Sequence, residues 1–238
     1  VSVFGSGTIY LGDTTGTASA TLLVGTNGLS ISRPIVLNTN ASVGTLTIGN
    51  TGTSVSVTFT GGVTGTNDFT INSNATDGTI TFATGSVNNA GTVTNTGAGT
   101  GDTTISSVIG TNVTGVTQNS TTSTLILSGT NTYTSSTTVS AGTLKLGSTS
   151  ALGTVAAGAT VASGAVLDLN GFTLATAEPL TLNGTGISNG GALTNSSSTA
   201  VSYSGLITLG SASSIVAPDG TISLTNTGTI TGNTFGLT

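Results

Sequence analysis

Short alternations of polar and apolar residues recur along the chain, and they restrict its fold more than any other feature. The alternation is strict at residues 45–48, 54–60, 79–82, 143–146 and 221–224, and looser at 166–169. A period of two predicts β-strands with one buried face and one solvated face. No window carries the apolar spacing of an amphipathic helix, so we predict an all-β fold.

Glycine-containing turns separate these predicted strands. They include Asn27-Gly28, Asp77-Gly78, Asn170-Gly171, Asn183-Gly184 and Asp219-Gly220. Such dipeptides favour tight turns, so we expect positive φ at their glycines. Two architectures fit many short strands joined by such turns: an antiparallel sandwich or barrel, and a β-solenoid in which each strand stacks on the strand one coil earlier.

A recurring Gly-Thr-apolar phrase favours the solenoid, because a turn glycine that opens a short strand again and again is typical of stacked coils. The phrase begins at Gly7, Gly44, Gly78, Gly91, Gly142, Gly220 and Gly228. Its uneven spacing predicts coils of different length. We therefore predict one β-solenoid domain (a parallel β-helix) over residues 1–238, with irregular coils and loops and with Thr, Ser and Asn ladders on its outer faces.

The near absence of charge limits the partners of the chain. Only 4% of its 238 residues are charged, and the two basic residues are Arg33 and Lys145. Two cations neutralise too few phosphates for nucleic-acid binding, and they give little attraction to anionic membranes. No apolar run approaches the roughly 20 residues that span a bilayer, so we expect no membrane insertion.

The residues that usually carry catalysis or bind metals are sparse. The chain has no His or Cys, and its seven acids form no local pair: Asp13, Asp68, Asp77, Asp102, Asp168, Glu178 and Asp219. We predict no enzymatic activity, no metal and no cofactor. A polysaccharide-cleaving enzyme would need acids that converge in one groove, and a loop Ca²⁺ at Asp68 or Asp102 is a further alternative.

Lys145, the only lysine, lies in an alternating strand, and we predict that it is a solvated strand charge. The alternative is an isopeptide crosslink beside a carboxylate, which would require Lys145 to be buried and neutral. Rows of Thr-x-Thr also occur in ice-binding proteins, but their irregular spacing in this sequence argues against a flat lattice of threonines.

One segment carries a family resemblance. Residues 125–134 (LILSGTNTYT), 137–147 (TTVSAGTLKLG) and 150–153 (SALG) resemble the passenger-associated transport repeat of bacterial autotransporters. Ser135 and Ser136 stand where that family usually has glycine. With the continuation at 166–174, the resemblance covers about residues 125–174. It implies a secreted bacterial β-helical protein, of a kind that includes adhesins, structural stalks and some enzymes.

The resemblance and the predicted solenoid lead to two hypotheses. The first is an extracellular structural protein at the bacterial cell surface, whose copies stack head to tail into a fibre, filament or matrix. Nearly uncharged strand-like segments at 1–4, 7–11, 221–224 and 228–231 motivate it, because open strand edges invite further pairing. The alternative is an adhesin-type passenger that binds glycans, extracellular polysaccharide or another surface through loops such as 97–104 or 195–199.

Overall fold

The chain winds into a β-solenoid of about nine coils, as predicted. The computed structural model describes residues 5–38 and 44–238. All strand pairs in this part of the chain are parallel, which excludes the antiparallel sandwich. The described residues contain no α-helix, and their one helical turn is a 3₁₀ turn at Ile187–Asn189. None of their helices is long and apolar enough to cross a membrane.

Two nine-stranded sheets form the long sides of the solenoid. Sheet 1 contains β2 (Ala20–Val24), β5 (Leu46–Asn50), β8 (Phe69–Ser73), β10 (Thr92–Thr96), β12 (Gly115–Gln118), β14 (Thr137–Val139), β16 (Ala159–Val161), β18 (Leu180–Gly184) and β21 (Ile207–Ser213). Sheet 2 contains β3 (Leu29–Ile31), β6 (Val57–Phe59), β9 (Ile80–Phe82), β11 (Thr103–Ile105), β13 (Leu125–Leu127), β15 (Thr143–Leu146), β17 (Val166–Asp168), β19 (Leu193–Thr194) and β22 (Ile215–Val216).

The third side of the solenoid carries strands mainly at its two ends. At the amino-terminal end, β1 (Ile9–Leu11), β4 (Ile35–Leu37) and β7 (Val63–Gly65) form a three-stranded sheet. At the carboxyl-terminal end, β20 (Val201–Tyr203) pairs with β23 (Ile222–Leu224). Each coil runs from the third side to sheet 1 and then to sheet 2. We call the turn from sheet 2 back to the third side, as at residues 32–34, 60–62 and 217–221, the return corner.

The core is a set of apolar columns that run along the solenoid axis. Leu144 and Leu146, the apolar residues of the alternation at 143–146, are fully buried, and their partner strand β13 contributes Leu125 and Leu127. Phe59 stacks on Phe82 from the next coil, with ring centroids 5.0 Å apart. Stacking therefore gives each inward side chain a neighbour above and below, and burial of these columns supplies the main driving force for folding.

Several asparagines lie inside the coils and not on the outer faces, where ladders of asparagine were predicted. Asn50, Asn95 and Asn195 are buried inside the coils instead of forming ladders on the outer faces. The Asn50 amide donates to the carbonyls of Val55 and Gly78 at 2.7 and 3.2 Å, and its Oδ1 accepts from the backbone N–H groups of Asn74 and Ala75. A buried amide is tolerated at a coil corner because it satisfies backbone groups that the turn leaves unpaired.

The glycines of the predicted turns have two separate roles. Gly28, Gly171 and Gly184 adopt positive φ, as predicted. Gly78 and Gly220 do not, so that part of the prediction is wrong for them. A Cβ on Gly78 would lie 2.2 Å from the Val55 carbonyl oxygen, and one on Gly220 would lie 2.4 Å from that of Ser197. These two glycines are required by the close approach of neighbouring coils.

Candidate functional site

The charged side chains do not gather into one cluster. The described residues contain no group of three or more His, Cys, Asp or Glu that could hold a metal ion. Asp68, a candidate for a loop Ca²⁺, accepts a hydrogen bond from the Thr92 backbone N–H at 2.6 Å, which ties one coil to the next. Asp13 accepts bonds from the N–H and hydroxyl of Thr15. These bonds lower the pKa of Asp13, the backbone N–H bond of Thr15 most strongly.

Lys145 forms an ion pair with Asp168, which was not predicted from the sequence. It faces Asp168 in the register between β15 and β17, and its Nζ lies 3.6 Å from Asp168 Oδ2. The lysine side chain is 32% exposed and the aspartate side chain 6% exposed. The Leu-Lys-Leu of β15 and the Leu-Asp-Leu at 167–169 share one alternation pattern. Aligning the two tripeptides in the sequence would have predicted that Lys145 faces Asp168.

Asp168 also anchors a return corner. Its Oδ1 accepts the backbone N–H groups of Asn170 and Ser196 at 2.9 and 3.0 Å, and its Oδ2 accepts the Ser196 hydroxyl at 2.6 Å. Hydrogen bonds of this number satisfy a buried carboxylate well. The chemistry of this group is structural, because its oxygens are engaged by the turn that it holds.

Glu178 lies in an unusual environment for a carboxyl group. It is buried, and neither of its oxygens has a hydrogen-bond partner in the described part of the chain. Burial raises the pKa of Glu178 to about 7. Burial also raises the pKa values of Tyr133 and Tyr203, and the charge of Glu178 raises both further. The Tyr203 hydroxyl donates to the Glu178 backbone carbonyl at 2.7 Å, which fixes the segment before β18.

A threonine ladder occupies the centre of the outer face of sheet 1. Ten threonines follow one another in register, one on each of the nine strands of sheet 1 and a tenth, Thr231, bridged to the last of them: Thr21, Thr47, Thr70, Thr94, Thr117, Thr138, Thr160, Thr181, Thr208 and Thr231. Coil lengths differ, with 21 residues from Thr117 to Thr138 and 27 from Thr181 to Thr208. The corners absorb this variation, so irregular spacing in the sequence produces a regular ladder in the fold.

The hydroxyls of this ladder are almost all available to solvent or a ligand. Only Thr208 and Thr231, 3.4 Å apart, make a side-chain hydrogen bond to each other among the described residues. Other outer threonines differ, since Thr122 donates to the Gly99 carbonyl at 2.9 Å and Thr132 donates to the Ile109 carbonyl. The rows of aligned residues beside the ladder contain different residue types, for example Leu23, Gly49 and Asn72 in one row.

The two segments proposed as contact loops are packed corners. Asn195 is buried, and its amide donates to the carbonyls of Thr199 and Thr221 at 2.8 and 3.2 Å. In the other segment, a Cβ on Gly99 or Gly101 would lie about 2 Å from a carbonyl oxygen of the previous coil. Both segments still expose side chains, Ser198 and Thr199 in one and Ala98 and Thr100 in the other, whereas the threonine ladder is the more regular surface on this solenoid.

The two ends of the described solenoid expose apolar groups that the middle coils bury. Ile9, Leu22 and Leu29 of the first coil are half-buried. In the last coil, Leu224 is 41% exposed and Ile230 is 37% exposed, although both face inward. The predicted terminal segment at residues 1–4 lies outside the described residues, while 7–11 contains β1 and 221–224 contains β23. The segment 228–231 forms no strand, so that prediction is wrong, and only Thr231 makes a bridge, to Thr208.

Comparison with known proteins gives one family match. Residues 122–146 match the family model described as the passenger-associated-transport-repeat. This confirms the resemblance over about a tenth of the chain, and the continuation as far as residue 174 stays a prediction. No curated protein and no solved structure matches the chain. The matched segment contains β13 and β15 of sheet 2 and, between them, β14 of sheet 1, so it covers about one coil of the solenoid. The repeat and the β-helical fold together indicate an autotransporter-passenger-like protein, secreted or displayed at the cell surface.

Proposed function

We propose that this chain is a structural protein whose solenoids stack head to tail into an extracellular fibre, filament or matrix. The exposure of inward-facing side chains in the last coil is the observation that carries the proposal. Every interior coil covers such side chains with the next coil, so a further coil would cover Leu224 and Ile230 in the same way. The occupant that fits is the first coil of a second copy, because it has the same three-sided outline and half-buried apolar residues.

Edge-strand chemistry supports the same conclusion. Proteins usually protect open strand edges with charge, proline or a covering element. The terminal strands β1, β2 and β23 contain no charged residue and no proline. A contact between different surfaces of identical copies does not close on itself, so it propagates into an open filament. These three terminal strands therefore have the composition expected of an assembling edge.

Electron microscopy of the purified chain tests this proposal. We expect unbranched filaments whose axial repeat shows the strand spacing of about 4.7–4.9 Å. Leu224→Asp places a charge at the stacking face and should abolish the filaments. Val155→Asp is the matched control, because Val155 is equally exposed but lies on the side of a middle coil. Discrete monomers of the unaltered chain at high concentration would refute stacking.

A second candidate function rests on the threonine ladder. Ten outward threonines with largely unbonded hydroxyls form an uncharged surface that suits a neutral, hydroxyl-rich ligand such as a glycan, as an adhesin-type passenger would require. Thr45, Asp68, Thr92 and Thr94 line a polar depression beside the ladder. Glycan-array binding that is lost on Thr94→Val and Thr117→Val, while filaments persist, would favour this function over stacking alone.

A further inference from the structure

The first coils of the solenoid carry a cation that points towards the amino-terminal end. Arg33 lies at the return corner between β3 and β4, and its Nη1 donates to the Ser6 carbonyl oxygen at 2.9 Å. Ser6 precedes β1, so the guanidinium reaches back from the second coil to the level of the first. Arg33 Nε is buried without a hydrogen-bond partner. The bond to Ser6 uses one of the guanidinium's five N–H donors, so the donors left for a further acceptor are those of its terminal Nη groups and not the buried Nε.

The last coil carries an acid at the same corner. Asp219 lies at the return corner between β22 and β23 and is exposed. Close contacts between coils recur along this corner: Gly61 approaches the backbone of Arg33, Gly85 that of Gly62, Gly129 that of Ser107 and Gly220 that of Ser197, while Gly171 approaches the Ser197 side chain. Arg33 and Asp219 therefore mark the two ends of one edge of the molecule.

Neither Arg33 nor Asp219 forms an ion pair within residues 5–38 and 44–238. The one ion pair in the described part of the chain joins Lys145 to Asp168. Arg33 is the other of the two basic residues, so no cation remains for Asp219 within one copy. Arg33 is therefore the one basic side chain that an acid of a second copy could pair with without displacing Lys145 from Asp168.

We propose that Arg33 pairs with Asp219 of a second copy when solenoids stack, and that this contact sets the rotational register of the filament. The inference rests on the proposed stacking function. Continuing the solenoid by one coil spacing, about 4.7–4.9 Å, places Asp219 of one copy over Ser6 of the next. The Arg33 guanidinium already lies at the level of Ser6, which brings it within ion-pair reach of that carboxylate.

The same placement continues the other elements of the fold. On the third side, β23 of one copy lies against β1 of the next, so that inward Leu224 is covered by the first coil. On sheet 1, Thr231 lies next to Thr21, and the threonine ladder passes from copy to copy without a break. A stack rotated to another side of the triangular outline would lose the ion pair and interrupt the ladder. Charge complementarity thus selects one of the possible registers.

Charge reversal tests the pair. We expect Arg33→Asp and Asp219→Arg each to raise the concentration at which filaments form, on the order of tenfold, because each places like charges together. The double variant Arg33→Asp with Asp219→Arg should restore assembly. Asp77→Arg is the matched control, because Asp77 is also an exposed aspartate before a close-approach glycine but lies in a middle coil. Circular dichroism of each variant reports whether it is folded.

A crosslink provides a test that does not depend on tolerance of the reversed charges. The chain has no cysteine, so Ser6→Cys with Asp219→Cys can form disulfides only between the introduced thiols. One coil spacing lies within the Cα separation that disulfides allow. Oxidised filaments should therefore run as a covalent ladder on a denaturing gel, and Ser6→Cys with Asp77→Cys should not.

The outcomes separate the two proposals. Filaments that tolerate both charge reversals and give no covalent ladder would overturn the Arg33–Asp219 contact while leaving stacking intact. An unaltered chain that forms no filaments would overturn stacking itself. Restoration by the double charge swap, together with the ladder, supports both.

Discussion

A middle coil and the last coil of this solenoid are built from the same sequence pattern but differ in burial. The phrase Gly142-Thr143-Leu144 opens β15, and Gly220-Thr221-Ile222 opens β23. Leu144 is fully buried between β13 and β17, whereas Leu224, on the strand that Ile222 begins, is 41% exposed. The difference shows that a coil does not complete its own core. In a solenoid, burial of each coil depends on its neighbours.

The largest expected difference comes from truncating one leucine in each coil. Leu144→Ala should lower the free energy of unfolding by about 2–5 kcal/mol, because it leaves a cavity between packed strands. Leu224→Ala should cost less than about 1 kcal/mol in the isolated chain, because the side chain buries less surface there. Urea denaturation followed by circular dichroism measures both values. Similar losses for the two variants would contradict the contrast between middle and end.

The Leu224 result also depends on assembly. If copies stack, Leu224 becomes an interior residue, and its truncation should cost more in filaments than in dilute monomers. Comparing the two variants below and above the assembly concentration separates these cases. Equal costs for Leu224→Ala in both conditions would indicate that nothing covers the last coil.

Glu178 should give the next largest effect, and it depends on pH. Its folded-state pKa is raised to about 7 from 4.5 by burial, so the folded chain binds the proton more tightly than the unfolded chain. The associated stability is fully present below pH 4.5 and is lost as the pH rises towards 7. The loss amounts to about 3–4 kcal/mol, because the pKa rises from 4.5 to about 7 and each pKa unit corresponds to about 1.4 kcal/mol. The urea concentration at the unfolding midpoint should therefore decrease as the pH is raised from 5 to 8.

A variant and a direct titration check that assignment. Glu178→Gln should remove most of the decline over this pH range, whereas Asp77→Asn, at an exposed aspartate, should retain it. Glu178 is the only glutamate, so labelling with [¹³C]glutamate gives one titrating side-chain carboxyl signal. A midpoint near the ordinary glutamate value would show that the carboxyl group is solvated in the folded chain.

The Lys145–Asp168 pair should give a smaller and unequal response. Asp168→Ala should cost about 1–3 kcal/mol, because three donors from Asn170 and Ser196 lose a buried acceptor. Lys145→Gln should cost less than about 1 kcal/mol, because the lysine is partly solvated and screened by salt. Denaturation at low and high salt measures both. A larger loss for the lysine variant would mean that the ion pair, and not the turn, determines the role of Asp168.

The sequence predicted the strands better than their alignment. Alternation located β5, β6, β9, β15, β17 and β23 to within a few residues, because one face of each strand is buried. It did not predict which residues of neighbouring strands are paired, because the coils differ in length from 21 to 27 residues. No fixed spacing in the sequence therefore marks the residues that the fold aligns. The ion pair of Lys145 and the ten-residue threonine ladder depend on that alignment, so they became visible only in the structure.

The roles of Gly78 and Glu178 were hidden for related reasons. The sequence assigned Gly78 to a turn with positive φ, but its actual constraint is the Val55 carbonyl of another coil. The charge of Glu178 likewise raises the pKa values of Tyr133 and Tyr203, which lie on different coils and are distant in the chain. Local patterns report local conformation, whereas these constraints arise from contacts between coils.

The threonine ladder should give the smallest effect on stability. Thr117→Val removes a hydroxyl that makes no side-chain hydrogen bond and keeps a β-branched side chain on a strand, so the free energy of unfolding should change by less than about 0.5 kcal/mol. Thr122→Val is the matched control in the same coil. Its hydroxyl donates to the Gly99 carbonyl at 2.9 Å, and its loss should cost about 0.5–1.5 kcal/mol. Chemical denaturation of the two variants measures the difference.

If Thr117→Val proved the more costly, the ladder would have to contribute to holding the coils together. A silent Thr117→Val that nevertheless changed filament formation or glycan binding would show that the ladder is an interaction surface in a fold held together by its inner columns.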